Sequence, residues 1–120
     1  MNLEERTSNK WLVVEDWKPL RDALEHTFID LKLSADFAPG QHEALSFARN
    51  TLYAKLLIDL HLGMDRGREL YKEIRSLHPR HVHPAVIYMT GKPEQCADLP
   101  LEGPLLIKPF RFKELHALVG

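Results

Sequence analysis

Short apolar runs punctuate the chain, and most stop at a charged or hydroxylated residue. Trp11-Leu12-Val13-Val14 ends at Glu15-Asp16, and Leu56-Leu57-Ile58 ends at Asp59. Ala85-Val86-Ile87-Tyr88-Met89 ends at Thr90-Gly91, and Leu105-Leu106-Ile107 ends at Lys108. Leu33 to Ala38, closed by Pro39-Gly40, is a weaker run of the same kind. Unbroken apolar runs of this length, rich in β-branched residues, fit strands buried on both faces.

Between the runs the period changes to three and four. Leu20, Leu24, Thr27, Phe28 and Leu31 form one helical stripe, with Pro19 near its start, where a missing N–H costs nothing. Ala44, Leu45, Ala48 and Leu52 mark a second helix. Leu70, Ile74 and Leu77 mark a third, stopped near Pro79, and Phe112, Leu115 and Val119 mark the last. Residues 92–103 hold Pro93, Pro100 and Gly103, so at most one short helix fits there, around Glu94 to Asp98. Strand–helix alternation with buried strands predicts an α/β fold, a five-stranded parallel sheet doubly wound in three layers, with a shortened fourth helix. A polar segment over 1–10 precedes one domain over 11–120, and Met1 is expected to be a natural N-terminus. The last helix is expected to end with the chain, leaving little room here for an output domain, and a stand-alone protein and a piece of a longer regulator or hybrid kinase both stay open.

Composition narrows the function. With 120 residues, 44% hydrophobic and 28% charged, the chain is globular in type and long enough for its own core. Sixteen Lys and Arg against 17 Asp and Glu leave a net charge of -1, so there is no basic footprint for nucleic acid or an anionic membrane. A single cysteine, Cys96, excludes an intramolecular disulfide and a four-cysteine zinc site. No run approaches the ~20 apolar residues that cross a bilayer. MNLEERTSNK lacks the apolar core of a signal peptide, so a cytoplasmic protein is expected.

Ligands of open parallel sheets bind beyond the carboxyl ends of the strands. The fold brings Glu15, Asp16, Asp59, Thr90 and Lys108 to that edge from positions spread along most of the chain. Three carboxylates suit a hard cation such as Mg²⁺, and a lysine beside a hydroxyl suits phosphoryl oxygens. The alternative is plain solvation of strand ends, which must finish in something polar.

Val13-Val14-Glu15-Asp16, Ile58-Asp59-Leu60, Met89-Thr90-Gly91 and Lys108-Pro109-Phe110, in this order and spacing, resemble the receiver domain of bacterial two-component response regulators, the CheY-like (βα)5 fold. The resemblance runs from about Trp11 to Val119. It implies that Asp59 accepts a phosphoryl group from the phosphohistidine of a histidine kinase or phosphotransfer protein. Asp16, Asp59 and the backbone carbonyl of His61 are implied Mg²⁺ ligands, with Glu15 binding directly or through water. Lys108 and Thr90 are implied to hold the phosphoryl oxygens, helped by the backbone N–H groups of Leu60 and Gly91. The side chains of His61 and Lys92 flank the path of the hydrolytic water and could tune the phosphoryl lifetime. Such a domain is a regulatory phosphoacceptor rather than an enzyme with its own substrate. It assists its own phosphorylation and dephosphorylation and passes the signal to a downstream protein, and a homodimer is compatible with it. No nucleic acid or membrane is expected to bind through it.

The chain also departs from the family pattern. Gly63 stands where the family usually has Pro, while Gly67 keeps the usual glycine. Leu105 stands where an aromatic residue usually moves with the threonine, so an aromatic-swing switch is not expected. The stretch from Thr90 to Lys108 is short, which implies a remodelled face around the fourth helix, fifth strand and last helix.

Two other functions are compatible with such a chain. An aspartyl-phosphate phosphatase wants a second carboxylate two residues after the nucleophile, and here that residue is His61. A phosphorylation-independent binding module on the same fold is the stronger alternative, kept by the missing aromatic. His78, His81 and His83 form H-P-R-H-V-H at the opposite end of the sheet and are read as a solvated loop rather than a metal site. Lys10, Lys18 and Arg21 are read as solvated cations, Cys96 as unreactive, and Trp11 and Trp17 as packing residues. No GxxxxGK[ST] loop and no Gly-x-Ser-x-Gly elbow occurs.

Overall fold

The structure, a computed structural model, describes residues 9–63 and 66–119. Most of the expected polar segment over 1–10 therefore lies outside the described residues. Five strands form one sheet: β1 (Trp11–Val14), β2 (Ala35–Ala38), β3 (Lys55–Asp59), β4 (Ala85–Thr90) and β5 (Leu105–Ile107). Their order is β2-β1-β3-β4-β5 and every pairing is parallel. Four α-helices connect and flank them: α1 (Lys18–Asp30), α2 (Gln41–Asn50), α3 (Gly67–Ser76) and α4 (Phe112–Val119). This is the expected doubly wound α/β architecture.

Side-chain alternation along the strands builds two cores. Leu12, Val14, Leu56, Ile58 and Tyr88 pack on Ala44 and Ala48 of α2 and Leu70 and Ile74 of α3. Trp11, Val13, Leu57, Met89 and Leu106 point the other way, onto Leu24 and Phe28 of α1 and Leu115 and Val119 of α4. Both faces of the central strands are covered, which is why their sequences read as unbroken apolar runs.

The anticipated short fourth helix is a single 3₁₀ turn over Pro93–Gln95. Pro93 and Pro100 restrict the segment, and local bonds such as Gln95 N–H to the Lys92 carbonyl at 3.0 Å close the turn. Without a full helix there, Ile107 on edge strand β5 stays half exposed. Among the described residues no helix is long and apolar enough to cross a membrane.

The chain leaves β1 for β2 on one side, then returns to β3 on the other. That reversal opens a crevice between the carboxyl ends of β1 and β3, where ligands of such sheets bind.

Candidate phosphoacceptor site

The residues that end the strands converge at this crevice. Glu15 and Asp16 follow β1, Asp59 closes β3, Thr90 closes β4 and Lys108 follows β5. Parallel register aligns the ends: Val14 lies beside Ile58, Asp59 beside Met89, and Thr90 beside Ile107. One carboxylate oxygen from each of Glu15, Asp16 and Asp59 lies within 4.8 Å of the others. Glu15 is fully buried and Asp59 nearly so, whereas Asp16 is exposed. All three offer hard oxygen ligands at one point, so the donor set fits a divalent cation such as Mg²⁺.

Lys108 Nζ sits between two of these acids, 2.6 Å from Glu15 Oε1 and 3.0 Å from Asp59 Oδ2. Burial pushes the Glu15 carboxyl above its usual range, helped by the Asp59 charge and opposed by Lys108 and the Trp17 N–H. Burial alone would depress Lys108, but its bonds to Glu15 and Asp59 outweigh that and hold the ammonium above its ordinary value. The Lys108–Pro109 peptide is cis.

Backbone donors orient the acids. Glu15 Oε2 accepts the Trp17 N–H at 2.9 Å, and Asp59 Oδ1 accepts the His61 N–H at 2.8 Å. The Leu60 N–H, an expected phosphoryl donor, here donates to the Met89 carbonyl at 2.9 Å, extending the β3–β4 ladder by one bond. The amide that faces the Asp59 carboxylate is that of His61. Gly67 lets α3 approach this strand end, because a Cβ there would collide with the Asp59 carbonyl and lie 2.6 Å from Leu60 Cα. A Cβ on Gly91 would meet open space.

Thr90 is fully buried and already has partners. Its Oγ1 lies 2.6 Å from His61 Nε2 and accepts the Lys92 N–H at 2.9 Å. Lys92 thus meets the site through its backbone.

Several sequence readings change. Arg21 is not a free surface cation: its Nη1 donates to the Glu15 carbonyl at 3.0 Å and sits 3.4 Å from that of Asp16, bracing the turn that presents both acids. Its place one helical turn into α1, after the acid pair, is the signal that could have shown this. Lys10 pairs with Asp36 at 3.3 Å and Lys18 with Asp22 at 2.7 Å. His78 is not solvated. It is buried behind the end of α3, and its Nε2 accepts the Tyr53 N–H at 2.8 Å. His81 and His83 are exposed.

No protein-family model matches the chain, and no curated protein matches it. Solved structures do. A CheY-like response regulator receiver domain protein from Methanospirillum hungatei JF-1 superposes with a TM-score of 0.77 at 20% identity, over 94% of this chain and 91% of that one. The fold is that of CheY-like receiver domains. The receiver domain of sensor histidine kinase PA1611 from Pseudomonas aeruginosa PAO1, with a magnesium ion in its active site cleft, has a TM-score of 0.75 at 24% identity, over 94% and 95%. A Burkholderia pseudomallei response regulator protein with a phosphorylated aspartic acid has a TM-score of 0.73 at 22% identity, over 93% of this chain and 66% of that one. On this receiver fold the acid cluster lies at the carboxyl edge of the sheet, in the crevice the topology opens.

Proposed function

We propose that the protein is a phosphoaccepting receiver in a two-component signalling pathway. The observation that carries the reading is the Lys108 ammonium held between buried Glu15 and Asp59 in a three-carboxylate cluster. A strand end that merely needed solvation has no reason to bury a carboxylate with a lysine from another strand.

In this reading an Asp59 carboxylate oxygen attacks the phosphorus of a partner's phosphohistidine. A P–O bond to Asp59 forms as the P–N bond breaks, and the imidazole leaves with its electron pair and takes up a proton. Positioning and charge neutralisation supply most of the rate in such transfers. Glu15, Asp16, Asp59 and the His61 carbonyl would hold Mg²⁺, which supplies the positive charge that lets a phosphoryl group approach three acids. Lys108 exchanges one carboxylate contact for a phosphoryl oxygen. The His61 and Gly91 amides and the Thr90 hydroxyl are the further donors. The acyl phosphate replaces one carboxylate charge by about two, which shifts the population of conformers and hence affinity for a downstream protein. The supply of Mg²⁺ and of a kinase phosphohistidine fits a protein working in the cytoplasm.

Incubation with Mg²⁺ and acetyl phosphate, read by intact mass, tests the reading. One added phosphoryl group is expected in the parent and none in Asp59→Asn. An unmodified parent that also fails to bind beryllofluoride overturns it and leaves the phosphorylation-independent binding module.

A further inference from the structure

The Thr90 hydroxyl is fully committed before any phosphoryl group arrives. A hydroxyl has one proton and two lone pairs. The Lys92 N–H occupies one lone pair at 2.9 Å, and Cys96 Sγ lies 3.7 Å from the same oxygen. The remaining partner is His61 Nε2 at 2.6 Å, which accepts the hydroxyl proton in the tautomer that leaves this nitrogen bare. Phosphoryl oxygens only accept, and the one thing Thr90 can offer them is this same proton.

We propose that the His61 side chain is a positioning residue that holds the Thr90 hydroxyl and competes with the phosphoryl group for its proton. The inference rests on the phosphoacceptor reading of Asp59 and adds a residue to it. His61 suits the task by its placement, since its backbone N–H holds Asp59 Oδ1 at 2.8 Å while its ring holds Thr90. One residue therefore clasps both the acceptor carboxylate and the hydroxyl that must reach it. The imidazole acts through Thr90, and removing it favours the phosphorylated arrangement.

Beryllofluoride, whose fluorines accept hydrogen bonds as phosphoryl oxygens do, is the probe, titrated with saturating Mg²⁺ into the parent, His61→Leu, His61→Gln, Thr90→Val and the His61→Leu/Thr90→Val double variant. Loss of one competing neutral hydrogen bond predicts about three- to tenfold tighter binding by His61→Leu. His61→Gln, whose side-chain oxygen can accept the same proton, is expected to stay near the parent. In the Thr90→Val background the leucine is expected to change nothing, which isolates the pairwise term. Nitrogen-15 NMR of the parent at pH 7.5 is expected to show His61 Nε2 without its own proton and to shift on beryllofluoride binding. Binding by the parent that His61→Leu leaves unchanged, or a leucine effect that persists without the Thr90 hydroxyl, overturns the inference alone. No binding by the parent or by His61→Leu overturns the phosphoacceptor reading and the inference together.

Discussion

Lys108 and Glu15 stand 93 residues apart in sequence and 2.6 Å apart in the fold. The contact joins the residue after β5 to the residue after β1, across the ends of β3 and β4. Glu15 has no exposed surface, so its carboxylate depends on this ammonium and on the Trp17 N–H for compensation.

Lys108→Met removes that compensation. A buried ion pair broken from one side leaves an uncompensated charge, and the variant is expected to lose about 3 kcal/mol of stability at neutral pH. Millimolar Mg²⁺ is expected to restore part of the loss, because a cation among Glu15, Asp16 and Asp59 relieves the same repulsion. Urea unfolding with and without Mg²⁺ measures both. A variant as stable as the parent would show that the cluster carries no net strain of charge.

Gly67→Ala tests the seat of Asp59, the proposed acceptor. The new methyl meets the Asp59 carbonyl and Leu60 Cα, both backbone and unable to step aside cheaply. The expected loss is about 1–3 kcal/mol, in the range of overpacked core positions. Phosphoryl uptake from acetyl phosphate is expected to fall with it, because the accommodating shift moves Asp59 itself. Thermal unfolding and intact mass report the two effects, and retained uptake in a destabilised variant would separate them.

His78 makes stability sensitive to mild acid. Burial, reinforced by the charge of His83, holds its imidazole below the ordinary value of 6.5. The folded state needs Nε2 bare to accept the Tyr53 N–H, and a second ring proton would point at that donor. Because the folded pKa is depressed, the stabilisation is fully present above the unfolded value and is lost as pH falls through the folded one. Between pH 6.5 and the lowered value the slope should approach about 1.4 kcal/mol per pH unit. Urea midpoints at pH 7.5 and 5.5 are expected to diverge more in the parent than in His78→Gln, which accepts the Tyr53 N–H without titrating. Equal divergence in both would assign the acid sensitivity to other groups.

Most of the fold could be read along the chain. Strands covered on both faces must be apolar throughout, so Trp11–Val14, Leu56–Ile58 and Ala85–Met89 announced themselves as unbroken runs. The helices showed through stripes such as Leu70 and Ile74. The three acids and the lysine were legible for a related reason: a buried run can end only where a polar side chain can be satisfied, and a parallel sheet gathers all such ends on one edge.

The chain alone determined, through apolar periodicity, which segments form the sheet and which charges stand at its carboxyl edge. Only the tertiary structure decided what each polar group touches there. The partnership of Thr90 with His61, the commitment of the Leu60 N–H to Met89, the bracing of the acid turn by Arg21 and the burial of His78 against Tyr53 all join residues by hydrogen bonds. Hydrophobic burial is non-directional and leaves a periodic trace in sequence. A hydrogen bond depends on tenths of an ångström and on angle, between groups that packing first brings together, and it leaves no such trace.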